Sequence, residues 1–181
     1  MQLQPLENVT VLEMGNSLSE QLVGRHLRLL GASVITLSPP ENNLSYILTS
    51  GKEIINDISE FKTKADVIIT KTPKDIDPDT IYLSMPNFSS TDEEFKNVED
   101  HEVNIMALSG IYIDMGIDRK LMGIPASYSH LPLASTYGSV FGALAVVVAL
   151  NNGVGDVIEV PLASALMDTL VYNSMEYNCP D

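Results

Sequence analysis

The sequence predicts an α/β protein, a three-layer Rossmann-like domain built on a mainly parallel sheet. Val9-Thr10-Val11-Leu12 is a short β-rich run, Gly15-Asn16-Ser17 turns the chain, and a helical segment leads to a second apolar run at Ala32–Leu37. A strand, a crossover helix and a second strand favour a right-handed unit with parallel strands. The strand signature returns at Ala65–Ile69, Ile81–Met85 and Val157–Val160, alternating with helical segments as α/β proteins do. At 181 residues the chain can bury a substantial core, so 1–181 reads as a single domain.

Each element has a local cause. Ser17 can cap the first helix, with Glu20 three residues later completing a capping box. Leu18, Leu22, Leu29 and Leu30 supply its apolar surface, and Gly31 stops it. Pro39–Asn43 is a loop by composition, and a short helix is expected over 58–64. An acidic stretch (Asp92, Glu93, Glu94, Glu99, Asp100) precedes a helix opened by His101-Glu102. Val103, Met106, Ala107 and Gly110 recur along it at helical spacing and predict its buried face.

Leu131–Leu150 is twenty residues without a charge. Its first half is small or polar (Ser135, Thr136, Tyr137, Gly138, Ser139, Gly142), leaving an apolar run about half the length of a membrane span. No lysine or arginine follows Lys120, so a buried helix is expected here and no membrane span. Asn151-Asn152-Gly153 ends that helix, and Pro161 stands at the start of a final one over Leu162–Met175. His130 is expected to cap or pack, not to bind a ligand.

Composition excludes several functions. A net charge of −14 argues against nucleic acid as a partner. The single cysteine, Cys179, rules out an internal disulfide framework and a cysteine-rich metal site, and no metal is expected. It fits a reducing, cytoplasmic compartment. Met1–Pro5 has neither the basic nor the apolar region of a signal peptide. The turn after the first strand has one glycine, which is not a dinucleotide fingerprint. That loop is either an ordinary turn or a place where backbone approaches a ligand at the carboxyl ends of the strands. Glu102 and His101 likewise read two ways. A carboxylate at a helix N-terminus is kept ionised, fit to attack an electrophile, or it simply favours the first turn beside a surface histidine.

Several motifs together carry a family resemblance. His101–Gly110 resembles the H-D-I-N-Y-L-A-L-S-G segment of the alpha-methylacyl-CoA racemases. It is also similar to the D-L-x-x-Q-A-x-S-G segment of the family III CoA-transferases, the same CaiB/BaiF superfamily. Pro5–Gly15 resembles that family's P-L-x-G-x-x-V-L-E-L-G, and Gly24–Ile35 its G-R-x-L-x-D-L-G-A-D-V-I. Leu131–Leu150 followed by Gly155–Leu162 resembles its long helix, glycine turn and D-V-S-L strand. The likeness covers nearly the whole chain.

The resemblance implies that CoA or acyl-CoA is a substrate, with no tightly bound cofactor, and that a carboxylic acid is its partner. The nucleophilic aspartate of the transferases maps onto Glu102, with His101 beside it. Asn16 and Ser17, together with Gly51 and Lys52, are the positions implied to hold CoA, Lys52 meeting a phosphate as a point charge. Family members are longer, carry a small second domain absent here, and form interlocked dimers. A homodimer or a larger parent chain is therefore expected, with exposed apolar surface favouring self-association.

Departures from the family pattern fall at sites. Thr70-Lys71-Thr72-Pro73-Lys74 stands where the family has E-N-F-R-P-G. Pro86-Asn87-Phe88-Ser89-Ser90-Thr91 has none of the glycines of G-F-G-Q-T-G-P, and Thr36 occupies a basic position. Glutamate in place of aspartate moves the nucleophilic oxygen by ~1 Å, and misplacement of that size costs about 100-fold. The second base of the racemases falls at Ser135, which is no acid near neutral pH, so two-base racemisation is not expected. The leading expectation is a divergent CoA-transferase working through a glutamyl anhydride and thioester. The alternatives are a non-catalytic assembly module of the same fold and a racemase-like isomerase using His101 alone.

Overall fold

The computed structural model describes residues 4–37, 39, 42–57, 64–95, 97–114, 122–125, 128–153 and 155–170. Six strands form one sheet: β1 (Thr10–Glu13), β2 (Ser33–Thr36), β3 (Glu53–Ile54), β4 (Val67–Ile69), β5 (Ile81–Ser84) and β6 (Val157–Glu159). Their order is β3-β2-β1-β4-β5-β6, and every pairing is parallel. The helices are α1 (Leu18–Leu29), α2 (Asn43–Thr49), α3 (Glu102–Leu108), α4 (Ile111–Asp114), α5 (Leu133–Asn152) and α6 (Leu162–Thr169). The predicted α/β class with a parallel sheet is the observed one. Most of the helix expected over 58–64, and any continuation of the last helix beyond Leu170, lie outside the described residues.

The order in which strands are added to the sheet reverses between β1 and β4, which sit side by side although two strands separate them in sequence. A crevice opens beyond the carboxyl ends of the strands at such a switch point. Successive residues serve opposite faces of the sheet. Val11, Val34, Val67, Ile69 and Leu83 join Val23, Leu27, Val146 and Leu166 in the larger core. Leu12, Ile35, Ile68 and Tyr82 form a smaller core behind.

Ser17 caps α1 as expected: its hydroxyl accepts from the Glu20 backbone N–H, and Glu20 Oε2 accepts from Ser17 N at 3.1 Å. The buried residues of α1 differ from those expected. Val23, Gly24 and Leu27 face inward, while Leu29 and Leu30 are exposed at the end of the helix. The buried face of α3 also differs from the expected one. Ile105 and Met106 are buried, whereas Val103 and Ala107 are exposed. The helix is rotated so that Glu102, one turn before Ile105 and Met106, points towards α5.

Helix α5 is long and apolar enough to cross a membrane by length and composition, and here it lies on α1 and α6. Its inward face is small: Ala134, Ser135, Gly138, Ser139, Gly142 and Ala143. A Cβ on Gly138 would stand 2.4 Å from Leu162, and one on Gly142 3.0 Å from Val23. Close approach therefore requires glycine there. The opposite face exposes Tyr137, Val140, Leu144 and Val148. His130 packs edge-on against Tyr128, with ring centroids 4.5 Å apart.

Beneath α1 lies a buried ion pair. Lys52 Nζ donates to Glu13 Oε2 at 2.6 Å and to the Gln21 carbonyl at 2.9 Å, with both charged side chains fully enclosed. Thr36 Oγ1 donates to the other Glu13 oxygen at 2.8 Å. Burial pushes the Glu13 carboxyl up and the Lys52 ammonium down, and each partner's charge opposes the other's shift. A Cβ on Gly24 would lie 2.0 Å from Glu13 Oε2, so that glycine makes the room. Removing one member strands a buried charge. Lys52→Met should cost roughly 3–5 kcal/mol in urea denaturation, and Glu13→Gln with Lys52→Met should recover much of it.

Across the α1–α5 contact, His26 Nε2 lies 3.3 Å from Ser139 Oγ. Burial, and secondarily Arg25, hold the His26 imidazole below its ordinary pKa. The unfolded chain therefore takes up the proton first. The stabilisation is complete above about pH 6.5 and is lost as pH falls through the depressed folded value. Denaturation midpoints should drop as pH falls below about 6.5, and His26→Gln should flatten that slope.

Candidate active site

The site is built where α3 begins and α5 begins. Helix α5 starts at Leu133 behind Pro132, whose side chain cannot cap it. The first-turn N–H groups of α5 need an acceptor, and Glu102 provides it from 32 residues away. Glu102 Oε1 accepts from Ala134 N at 2.8 Å and Ser135 N at 3.2 Å. Oε2 accepts from Ser135 N at 3.1 Å and Ser135 Oγ at 2.5 Å. A carboxylate on the axis of a twenty-residue helix is stabilised by the partial positive charge of that terminus. Ser135, read from the sequence only as a missing acid, is the hydroxyl donor to Glu102.

A cavity of about 210 Å³ opens in front of this carboxylate. Leu18, Met85, Pro132 and Leu162 give it an apolar wall, and Ser17, Lys71, Asp100, His101 and Ser135 give it polar groups. It lies beyond the carboxyl ends of β1, β4 and β5, at the crevice the topology predicts. Lys71 and Asp100 form an ion pair with both side chains about half exposed. His101 is largely exposed, its Nε2 3.6 Å from Glu99 Oε2, while its carbonyl accepts from Asn87 Nδ2 at 3.4 Å.

The loop that lacks the family's glycines is held by other means. Pro86 and Asn87 carbonyls accept from the first N–H groups of α6, Leu162 N and Ala163 N, each at 2.9 Å. Glu159 Oε1 accepts from Ser89 Oγ at 3.0 Å and Ser90 N at 2.9 Å. Burial pushes the Glu159 carboxyl up, but these donors outweigh it and hold the group below its usual range. Phe88 and Phe95 stack at 4.7 Å.

The positions expected to hold CoA separate into three places. Ser17 lines the cavity in front of Glu102. Asn16 lines a neighbouring cavity of about 340 Å³, bounded by Gln21 and Leu37 and by Asn42 and Leu48 of the α2 region. Gly51 has a left-handed φ of 75°, and its Cβ would meet the Arg28 guanidinium at 2.5 Å. Arg28 Nε itself donates to the Ser50 carbonyl at 2.9 Å, and Arg25 Nη1 to the Ile47 carbonyl at 2.9 Å. These two cations close the end of α2. Lys52 corrects the expectation: its ammonium is spent on Glu13 and buried, so it does not stand free for a phosphate. Lys71 and Asp100 were missed as site residues, one appearing as a departure from a motif and the other as one of many surface acids. Their signal was position, directly after a strand and directly before His101.

No protein-family model matches the chain. Over an alignment of 205 positions the chain is 33% identical to the CoA-transferase/lyase DddD of Marinomonas sp. (strain MWYL1), a match covering 94% of this chain and 24% of that protein. The crystal structure of a CAIB/BAIF family protein from Brucella suis superposes with a TM-score of 0.78 at 21% identity, covering 97% of this chain and 58% of that one. Rv3272 from Mycobacterium tuberculosis superposes with a TM-score of 0.74 at 19% identity, covering 97% and 60%. The chain thus spans about a quarter of the curated relative's length and under two thirds of the solved chains. The parallel six-stranded architecture is the α/β fold that these solved structures share, the Brucella suis CAIB/BAIF family protein among them. Together with the sequence similarity to part of a CoA-transferase/lyase, this agrees with the resemblance to the family III CoA-transferases carried by the motifs.

The Glu102 contact has a structural consequence that can be measured alone. Glu102→Ala removes the acceptor at the start of α5 and should cost about 0.5–2 kcal/mol by urea denaturation. Glu102→Gln, which retains one oxygen acceptor, should cost less.

Proposed function

We propose that the chain is a CoA-transferase domain that moves CoA from an acyl-CoA to a carboxylic acid through Glu102. The observation that carries this reading is the Glu102 carboxylate, fixed by Ala134 N, Ser135 N and Ser135 Oγ at the mouth of a cavity with an apolar wall. The chain's identity with a CoA-transferase/lyase supports it. A Glu102 oxygen attacks the thioester carbonyl, and the CoA thiolate leaves as an acyl-glutamyl anhydride forms. The thiolate then attacks the glutamyl carbonyl and releases the first acid, leaving CoA on Glu102 as a thioester. The incoming carboxylate reverses these two steps. It takes the glutamyl acyl group to form a new anhydride, and the thiolate then attacks the new acyl carbon and restores the Glu102 carboxylate.

Donors aimed at the carboxylate also suit the later steps. The Ala134 and Ser135 N–H groups stand where a carbonyl oxygen of the glutamyl anhydride or thioester develops negative charge under attack. His101 is adjacent, and its exposed ring is available to a polar part of the substrate. The apolar stripe of Tyr137, Val140, Leu144 and Val148 supports a second copy, or the rest of a longer chain, as a further partner.

A second reading has its own support. Four hydrogen bonds already occupy the Glu102 oxygens, Lys52 is buried, and the 86–91 loop is pinned by Glu159. These features suit a non-catalytic module in which Glu102 is only a helix cap. Incubation with acetyl-CoA followed by peptide mass spectrometry separates the two. The transferase reading expects a hydroxylamine-sensitive adduct on Glu102, abolished in Glu102→Gln with the fold intact. An unmodified Glu102 peptide after prolonged incubation contradicts it and favours the helix cap.

A further inference from the structure

We propose that Lys71 is the carboxylate anchor of the cavity in front of Glu102, and that the acid it holds is short. The identity of the acid as a CoA acceptor rests on the transferase reading above. The binding site itself rests on the residues that line the cavity.

Among the described residues lining it, Lys71 carries the one permanent positive charge, against the carboxylates of Asp100 and Glu102. A second carboxylate entering beside these two is repelled unless a cation compensates it. The Lys71 backbone is well placed to hold such a cation. Its carbonyl accepts from Ser84 Oγ at 2.9 Å, and the preceding Thr70 N donates to the Leu83 carbonyl at 2.9 Å. The residue therefore rides on the carboxyl ends of β4 and β5, at the switch point. Its ammonium is paired with Asp100, but both side chains are about half exposed. An ion pair open to water to that degree holds its partners weakly, so an incoming carboxylate can take the place of Asp100.

Size follows from the opposite wall. Met85 and Leu162 are almost fully buried, and Leu162 is wedged against Gly138 of α5. They wall one side of a space of about 210 Å³, below the ~300 Å³ at which sites for drug-sized ligands begin. A carboxylate at Lys71 with a few carbons against Leu18, Met85 and Leu162 fits this shape, and a longer chain would have to leave the apolar wall.

The probe is propionate, titrated into the 181-residue chain and followed by amide NMR. Saturable shifts are expected around residues 17–19, 71 and 100–102. Lys71→Met should weaken binding by about 10-fold or more, Lys71→Arg should retain it, and Asp100→Asn should tighten it by removing the competitor. Glu102→Gln, which removes a repelling charge, should bind propionate more tightly while losing the covalent adduct. Equal propionate affinity in wild type and Lys71→Met, or the absence of saturable shifts, overturns the assignment. The two readings fail separately. A Glu102 adduct with indifferent Lys71 removes the anchor and leaves the transferase. Lys71-dependent propionate binding without an adduct removes the transferase and leaves the anchor.

Discussion

One carboxylate at the end of another segment's helix sets the geometry on which the site depends. Helix α5 begins behind a proline and cannot cap itself, so its first N–H groups wait for an acceptor from elsewhere. Glu102 supplies it and in doing so rotates α3, turns Ile105 and Met106 into the core, and draws the start of α3 against α5. The cavity is what remains between that contact and the carboxyl ends of β1, β4 and β5. Stability and chemistry thus draw on the same group. The helix terminus that needs an anion is the terminus that would hold a reactive carboxylate ionised.

The resemblance motifs have a different physical basis. Glu13 belongs to the Pro5–Gly15 segment and Gly24 to the Gly24–Ile35 segment, and both meet Lys52 in the buried pair beneath α1. They fix how α1 lies on β1 and β2. Arg25 and Arg28 finish the same task by closing the end of α2. Glu13 and Gly24 of these motifs thus serve the scaffold, where the departure Thr36 also bonds Glu13, while the departures Lys71, Asn87 and Ser135 line the cavity. Glycines give way to a loop held by Glu159 and the α6 terminus, and the racemase acid gives way to a serine that serves Glu102.

Sheet class, parallel pairing and the α1 capping box were readable because each rests on local signals: β-rich runs, a turn glycine, a serine followed by glutamate. The two-residue strand β3 was not, since its pairing with β2 is set by tertiary context and not by pattern. Faces were harder than elements. Leu29 and Leu30 continue the apolar run of α1 but are exposed at its last turn, and Val103 has the right spacing but the wrong side of α3. Both errors come from reading period without knowing phase. Glu102 and His101 were legible as a pair through their motif, whereas the role of Lys52 was misread because a lysine after a glycine looks exposed in one dimension. Lys71 carried no motif and became visible only when β4, α3 and α5 were brought together.

The fold is kept by a buried ion pair and close-packed glycines. The central claim is that the cavity in front of Glu102 still receives a CoA thioester. Calorimetric titration of the 181-residue chain with acetyl-CoA tests it most directly. The account predicts saturable binding in the micromolar range, and heats indistinguishable from dilution at millimolar acetyl-CoA would contradict it.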